Sequence, residues 1–394
     1  MKNKILLLLA YTLISVNLQG QGMEELLRNA ALNNPRIIAY GKLLEARKAE
    51  SKTGIAPADP FISGSYMPGQ DATPGRKKTW EISQSFSFPT KYLLQKQMSK
   101  STVLLAEQEF GLGRMQILLD AELSFLDLVY NSRMLTILQQ RKNAYDELRN
   151  AWEKMLDSGA ATIMDYNRIL IELSQLNLRI TRVQADIEML NEKIRYITGN
   201  KLTLLFVKDY PAFPQIEIDQ LINDKLKIHP AYLIPEMEYQ ISLQNVKLAR
   251  NGSLPDLQIG YGAELVPGEN YSGPVGGLSV PLWSNSNKVK AASAQAEHVA
   301  SLRDAEILRL VSEVRNEYSN MKALQTSLNE IRNIVDTGES KRLLDKALDA
   351  GEISLTTYFS YIESLNASED RYLQTENELF RSMATLTDHL LLNY

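Results

Sequence analysis

The residue types that could carry chemistry are few in this chain, and their spacing does not assemble a site. His229, His298 and His389 are the only three histidines, too scattered to share a metal ion. They suit surface or helix-capping roles. The glycine-rich GPVGG at 273–277 has no Lys-Ser/Thr after it and lies in a strand context, so it is no phosphate loop. Cysteine is absent. That removes thiol nucleophiles, thiolate metal ligands, disulfides and an N-terminal lipidated cysteine together. The 12 methionines are dispersed rather than laddered, which gives no copper relay. The many glutamates fall on amphipathic stretches, where they form the solvated face. A net charge of -4 argues against a nucleic-acid surface. No enzyme, cofactor or metal centre is expected.

One polar pattern does repeat. LDSGAATIMDYNRIL, 156–170, returns as LDAGEISLTTYFSYI, 348–362. Gly159 and Gly351 stand where a helix end calls for a left-handed residue, which glycine adopts at low cost. Three residues on, Thr162 and Ser354 are placed to cap a following helix, with Asp165 at the third helical position of the first copy as a short capping-box partner. Each stretch reads as the tip of an antiparallel helix hairpin, 157–162 and 349–354.

The elements around the tips follow from proline. None occurs between Pro89 and Pro211, nor after Pro281, and proline disrupts helix interiors. Very long helices are therefore permitted twice. Leu123, Leu126, Tyr130, Met134 and Ile137, then Tyr145, Leu148, Trp152 and Met155, step by threes and fours with one polar slot at Arg141. This coiled-coil-like stripe predicts a helix from about Lys91 to Leu156, about 100 Å long at 1.5 Å per residue.

Asn34-Pro35 and His229-Pro230 each open a helical segment, 195 residues apart, and Pro60 and Pro255 precede extended segments at the same separation. The chain therefore reads as a tandem duplication: 23–200 and 230–394, joined by a proline-bearing connector at 201–229. Each half runs short helix, helix, two strands, very long helix, tip and returning helix.

Strands are expected at about 59–68, 79–88, 256–265 and 274–282. In the best of them Leu257, Ile259, Tyr261, Ala263 and Leu265 alternate with Gln258, Gly260, Gly262 and Glu264. In 79–88, Trp80, Ile82, Phe86 and Phe88 alternate with Glu81, Ser83, Ser85 and Ser87, and Gln84 breaks the apolar row. Period-2 alternation fits a half-buried soluble sheet and fits a transmembrane barrel strand equally well. Four strands cannot close a barrel, so the second reading needs several chains. At the N-terminus, Lys2 and Lys4 precede the apolar run Ile5–Val16 and the small, polar NLQGQG, so 1–22 is expected to be a secretory signal. The run's 12 residues fall short of the roughly 20 that span a bilayer.

Taken together, the signal, the duplicated halves, the Asn-Pro and His-Pro helix starts, the paired alternating strands and the glycine-marked tips resemble the outer membrane efflux proteins of the TolC family. SFSFPTK at 85–91 resembles the strand-to-helix exit of members that serve resistance-nodulation-division pumps. The resemblance implies a mainly α protein with a membrane β-barrel. Duplicated helical hairpins would form a periplasmic α-barrel, and four strands per chain would contribute to a trimeric 12-stranded barrel in outer membrane lipid. It implies a passive exit duct, with the tips (Gly159, Thr162, Gly351, Ser354) meeting a periplasmic adaptor, or membrane fusion protein, and an inner-membrane pump beyond it. The connector would lie in the family's equatorial belt.

The family's periplasmic gate maps onto this chain with departures. Its acidic position in the first tip matches Asp165, but the preceding threonine is Met164. Its tyrosine and arginine in the second hairpin fall on Leu348 and Ile353, and its two entrance aspartates on Thr357 and Ser360. A polar lock is thus absent or built differently, with an apolar constriction at Leu348 and Ile353 as one form. The competing reading is a secreted or periplasmic coiled-coil scaffold, or a pump adaptor, without a channel.

Overall fold

A computed structural model describes residues 21–69, 75–202, 207–283, 285–335 and 338–394. The expected signal, 1–22, lies outside these residues except for Gln21 and Gly22, which begin the first helix. In chain order the elements are α1 Gln21–Asn33, α2 Pro35–Glu50, β1 Phe61–Pro68, β2 Arg76–Phe86, α3 Pro89–Asp157 and α4 Ile163–Ile197. Then come α5 Ile218–Ile228, α6 Pro230–Asn251, β3 Asp256–Val266, β4 Glu269–Ser279, α7 Lys288–Val335, α8 Gly338–Asp349 and α9 Leu355–Leu386. A 3₁₀ turn, Asp388–Asn393, follows. No described helix is long and apolar enough to cross a membrane.

Helix starts follow the local chemistry. Asn34 Oδ1 accepts the backbone N–H groups of Arg36 and Ile37 at 2.9 and 3.2 Å, with Pro35 at the first helical position, where its missing donor costs nothing. His229 repeats the device at α6, its Nδ1 accepting from the Ala231 N–H at 3.1 Å ahead of Pro230. Asn34 Nδ2 also donates to the Ile197 carbonyl at 2.8 Å, which ties the start of α2 to the end of α4.

The chain divides into two compact units, each drawing on both sequence halves. The first comprises residues up to Tyr40, Gly113–Lys225 and Val311–Tyr394. Within it the middle of α3 is enclosed over most of its circumference: Leu118, Phe125, Leu126, Leu128, Val129 and Leu138 are all buried. Each such side chain contributes roughly 1.5–3 kcal/mol. Towards the tips, Met134, Leu138 and Tyr145 of α3 pack with Ile169 and Leu173 of α4 and with Leu355, Phe359 and Ile362 of α9. The connector contributes α5, whose Leu221 and Ile222 pack with Val314, Met321, Leu379 and Leu386.

The second unit comprises Gly41–Leu112 and Leu226–Leu310 and contains one antiparallel sheet of order β1-β2-β3-β4. The central pairing joins the sequence halves, with Trp80 opposite Ala263 and Ile82 opposite Tyr261. β3 turns into β4 through Pro267-Gly268, with Gly268 at φ 93°; proline followed by a left-handed glycine is the type II turn pattern.

Several strand limits differ from the sequence reading: β1 starts at Phe61 and β2 ends at Phe86, two residues inside the expected bounds, and β4 ends at Ser279, three residues early. β2 starts at Arg76, three residues early, and β4 starts at Glu269, five residues early. The ENYSGP stretch has weak strand propensity, but the tight turn delivers it directly onto the free edge of β3. In the second half, α7 is described to Val335 and α8 from Gly338, with 336–337 outside the described residues.

Candidate functional site: hairpin tips and an exposed apolar sheet face

The two tips have the same backbone construction. After α3, the Gly159 N–H donates to Leu156 O at 3.0 Å and the Ala160 N–H to Met155 O at 2.7 Å; after α8, Gly351 donates to Leu348 O at 3.0 Å and Glu352 to Ala347 O at 2.9 Å. These paired bonds form a Schellman motif, which satisfies the last carbonyls of the helix and requires a left-handed residue. Gly159 and Gly351 supply it at φ 74° and 72°. A Cβ on either would meet nothing within 4 Å, so backbone conformation, not crowding, selects glycine there.

Each following helix is then capped alike. Thr162 Oγ1 accepts the Asp165 N–H at 3.2 Å and Ser354 Oγ accepts the Thr357 N–H at 3.2 Å. In the first tip the Thr162 hydroxyl also donates to Asp165 Oδ2 at 2.6 Å; in the second, the Ser354 and Thr357 hydroxyls lie 2.9 Å apart. Asp165 and Thr357 therefore occupy equivalent cap positions. Ser360 is exposed one turn further on, and Met164 projects at 75% exposure.

Leu348 and Ile353 are half-buried and pack against the tip-side cluster of their own chain. Part of their apolar surface is thus already covered within the chain. Beside them a cavity of 330 Å³ lies between α3, α8 and α9, lined by Tyr145, Trp152, Leu348 and Tyr358 among others. The Tyr358 hydroxyl donates to Asp345 Oδ1 at 2.8 Å. Burial, and then Asp345, hold this hydroxyl well above the ordinary phenol range; burial likewise pushes Tyr145 up to about 12. Sequence reasoning missed the Tyr358–Asp345 pair. Facing positions of a hairpin are nearly equidistant from its tip, so residues six and seven places either side of Gly351 were the available signal.

In the second unit, cross-strand partners share a sheet face, and the register assigns each side chain to one of two faces. One face carries Ile62, Trp80, Ile82, Leu257, Ile259, Tyr261 and Leu278. All are substantially exposed, Ile259 at 62%. Trp80 and Tyr261 lie 6.0 Å apart between ring centroids. Gln84, level with Ile259, is the polar interruption expected in this row. The other face carries Ser63, Thr79, Glu81, Ser83, Gln258, Gly260 and Gly262, together with the apolar Phe61, Met67, Tyr271 and Val275. Gln258 Nε2 donates to Ser83 Oγ at 2.8 Å. A Cβ on Gly260 would fall 2.6 Å from the Ile82 carbonyl, so glycine permits the close approach of β3 to β2. Among the described residues, β1 and β4 each pair on one side only.

No protein-family model and no curated protein sequence matches the chain. Solved structures do. CusC, studied for the changes that accompany its folding and transmembrane channel formation, aligns with a TM-score of 0.80 at 13% identity, covering 94% of this chain and 92% of that one. A membrane protein from Pseudomonas aeruginosa aligns at 0.81 and 14% identity, covering 93% and 90%. The outer-membrane channel OprN aligns at 0.79 and 15% identity, covering 93% and 89%. At these identities the likeness establishes the fold. The chain has the fold of these membrane channels, mainly helical with a four-stranded antiparallel sheet.

Proposed function

We propose that the chain is an outer-membrane channel of the TolC type, the passive exit duct of a tripartite efflux system. Three copies supply four strands each to one 12-stranded barrel, while their helices form a conduit into the periplasm. The carrying observation is the apolar sheet face, exposed from Ile62 across to Leu278. It occurs on three strands of 11 residues and one of eight, against the roughly 9–11 that a tilted transmembrane strand needs. The opposite face is mostly small and polar, as a water-filled lumen favours, with Phe61, Met67, Tyr271 and Val275 as its large apolar members. The free edges of β1 and β4 support closure with neighbouring copies, because an exposed edge is a template for pairing.

In this reading the exposed tips at Gly159, Thr162, Gly351 and Ser354 dock a periplasmic adaptor, and a pump of the resistance-nodulation-division type loads the duct. Asp165, Leu348, Ile353, Thr357 and Ser360 surround the periplasmic entrance. The protein itself performs no covalent chemistry.

The test is membrane partition. The mature protein is expected to stay in the membrane fraction through high-salt washing and to emerge in detergent as a trimer. Ile259→Arg is expected to destabilise the inserted form by roughly 2–4 kcal/mol if Ile259 lies near the midplane. A monomer soluble without detergent would overturn the channel reading in favour of a periplasmic scaffold or adaptor.

A further inference from the structure

Where the strands of the second unit hand over to helices, they enclose a cavity of 410 Å³. Its wall brings together Lys91 in the first turn of α3, Lys288 at the start of α7, Asp256 at the start of β3 and Asn251 at the end of α6, with Leu282 and Trp283. Side-chain bonds hold the surrounding turns. Asn285 Nδ2 donates to Ala249 O at 2.9 Å and to Ser253 Oγ at 2.6 Å. Asn251 Nδ2 donates to Thr90 Oγ1, and Lys91 Nζ donates to Ser87 Oγ at 3.0 Å. Asn251 Oδ1, by contrast, is buried and accepts from no donor among the described residues, which leaves one acceptor in the cavity wall unmet.

Apolar surface adjoins the charges. Leu278 shares the exposed apolar face of the sheet with Leu257, and just past the end of β4 Val280, Leu282 and Trp283 are also exposed, Trp283 at 82%. Tryptophan is enriched where a membrane meets water.

We propose that this cavity holds the headgroup of a phosphatidylethanolamine-type phospholipid, a reading that rests on the channel function above. The phosphate diester lies with Lys91 and Lys288, and the primary ammonium with the Asp256 carboxylate and Asn251 Oδ1. The acyl chains pass Leu282 and Trp283 towards the apolar sheet face. Two cations beside one carboxylate match a zwitterion with a hydrogen-bonding ammonium. Phosphatidylglycerol offers no cation to Asp256, and phosphatidylcholine has no N–H for Asn251. Free phosphate engages only the lysines.

The experiment is native mass spectrometry of the full-length protein, released from nanodiscs holding equal parts of the three phospholipids. Wild type is expected to retain phosphatidylethanolamine about tenfold over phosphatidylcholine, as one or two charge-assisted bonds would give. Lys91→Gln with Lys288→Gln is expected to lower retention of both phosphatidylethanolamine and phosphatidylglycerol. Asp256→Asn is expected to lower that of phosphatidylethanolamine alone, with trimer in detergent as the folding control for every variant. Equal retention of the three lipids by wild type, or unchanged retention in the lysine double variant, overturns the proposal, as does displacement of the lipid by millimolar inorganic phosphate. A protein that never inserts into nanodiscs refutes the channel reading instead. Insertion without headgroup preference refutes only this inference.

Discussion

Arg141 lies 2.7 Å from Glu369 and 2.8 Å from Asp370, an α3 cation between two α9 acids, with its side chain only 5% exposed. It also donates to the Asn366 carbonyl at 3.1 Å, and Asp370 meets Arg179 of α4 at 2.6 Å. Three helices are therefore pinned at one level of an otherwise apolar stripe. A buried ion pair adds little net stability because desolvation offsets the attraction; a polar group in such a seam instead fixes register. Arg141→Ala is expected to lower stability by about 1–3 kcal/mol, since the acids left behind are partly solvated. Arg141→Lys should lose less but fail to bridge both acids. The midpoint of thermal unfolding in detergent reads this directly, and an unchanged midpoint in Arg141→Ala would remove the register role.

Gly159→Val and Gly351→Val each force a β-branched residue into φ above 70°, at a local cost of about 1–2 kcal/mol or more. No neighbour lies within 4 Å of the new Cβ, so the strain is relieved by remodelling the tip rather than the helix packing. Protein level and trimer formation should survive while adaptor cross-linking and efflux fall. Normal efflux in both variants would mean that the tips are not the docking surface.

What the sequence made legible tracks how local each cause is. Tip glycines, helix caps and strand alternation are set by neighbours within a few residues, so Gly159, Thr162 and Ile259 could be placed from type and spacing alone. Arg141 was visible as a polar slot, but its partners lie 228 and 229 positions away, and nothing local names them. Phe125, Leu128 and Val129 fall outside a two-helix stripe because α3 is enclosed on several sides at that level. β4 was read short because its first residues are poor strand formers held by β3. The gate positions were legible only as a mapping from a family, which gives no account of what Leu348 and Ile353 pack against.

Glu122 gives the first unit a pH-dependent element. It is buried at 4% exposure; burial, and to a lesser degree Asp388, push its carboxyl up to about 7. Asp388 is itself 2.5 Å from Lys225. The folded state therefore binds this proton more tightly than the unfolded chain, whose carboxyl titrates near 4.5. Stability should fall as pH rises from about 4.5 to about 7 and then level off. Glu122→Gln should remove that slope, raising stability by up to about 3 kcal/mol near pH 8 and changing little near pH 4.5. Thermal midpoints across this range decide it; parallel curves for variant and wild type would show that Glu122 does not carry the slope.

The entrance prediction turns on Leu348 and Ile353, half-buried against the tip-side cluster beside Tyr358 and Phe359. If their remaining apolar surface meets the same surface of neighbouring copies, closure rests on packing rather than hydrogen bonds. Each side chain then contributes at most about 1.5–3 kcal/mol, and less at a wet entrance. Such a contact responds little to salt, unlike an exposed charge pair, which screening weakens. Asp165 is the acid nearest the first tip's cap, and its Oδ2 already accepts the Thr162 hydroxyl at 2.6 Å, while Thr357 and Ser360 bring only hydroxyls. Three copies of Asp165 should therefore set a weak cation preference. In planar bilayers, Leu348→Ala with Ile353→Ala is expected to raise conductance at both low and high salt, and Asp165→Asn to reduce cation preference. Wild-type conductance in the double variant would put closure elsewhere along the conduit. Unchanged selectivity in Asp165→Asn would leave that carboxylate as a helix cap and nothing more.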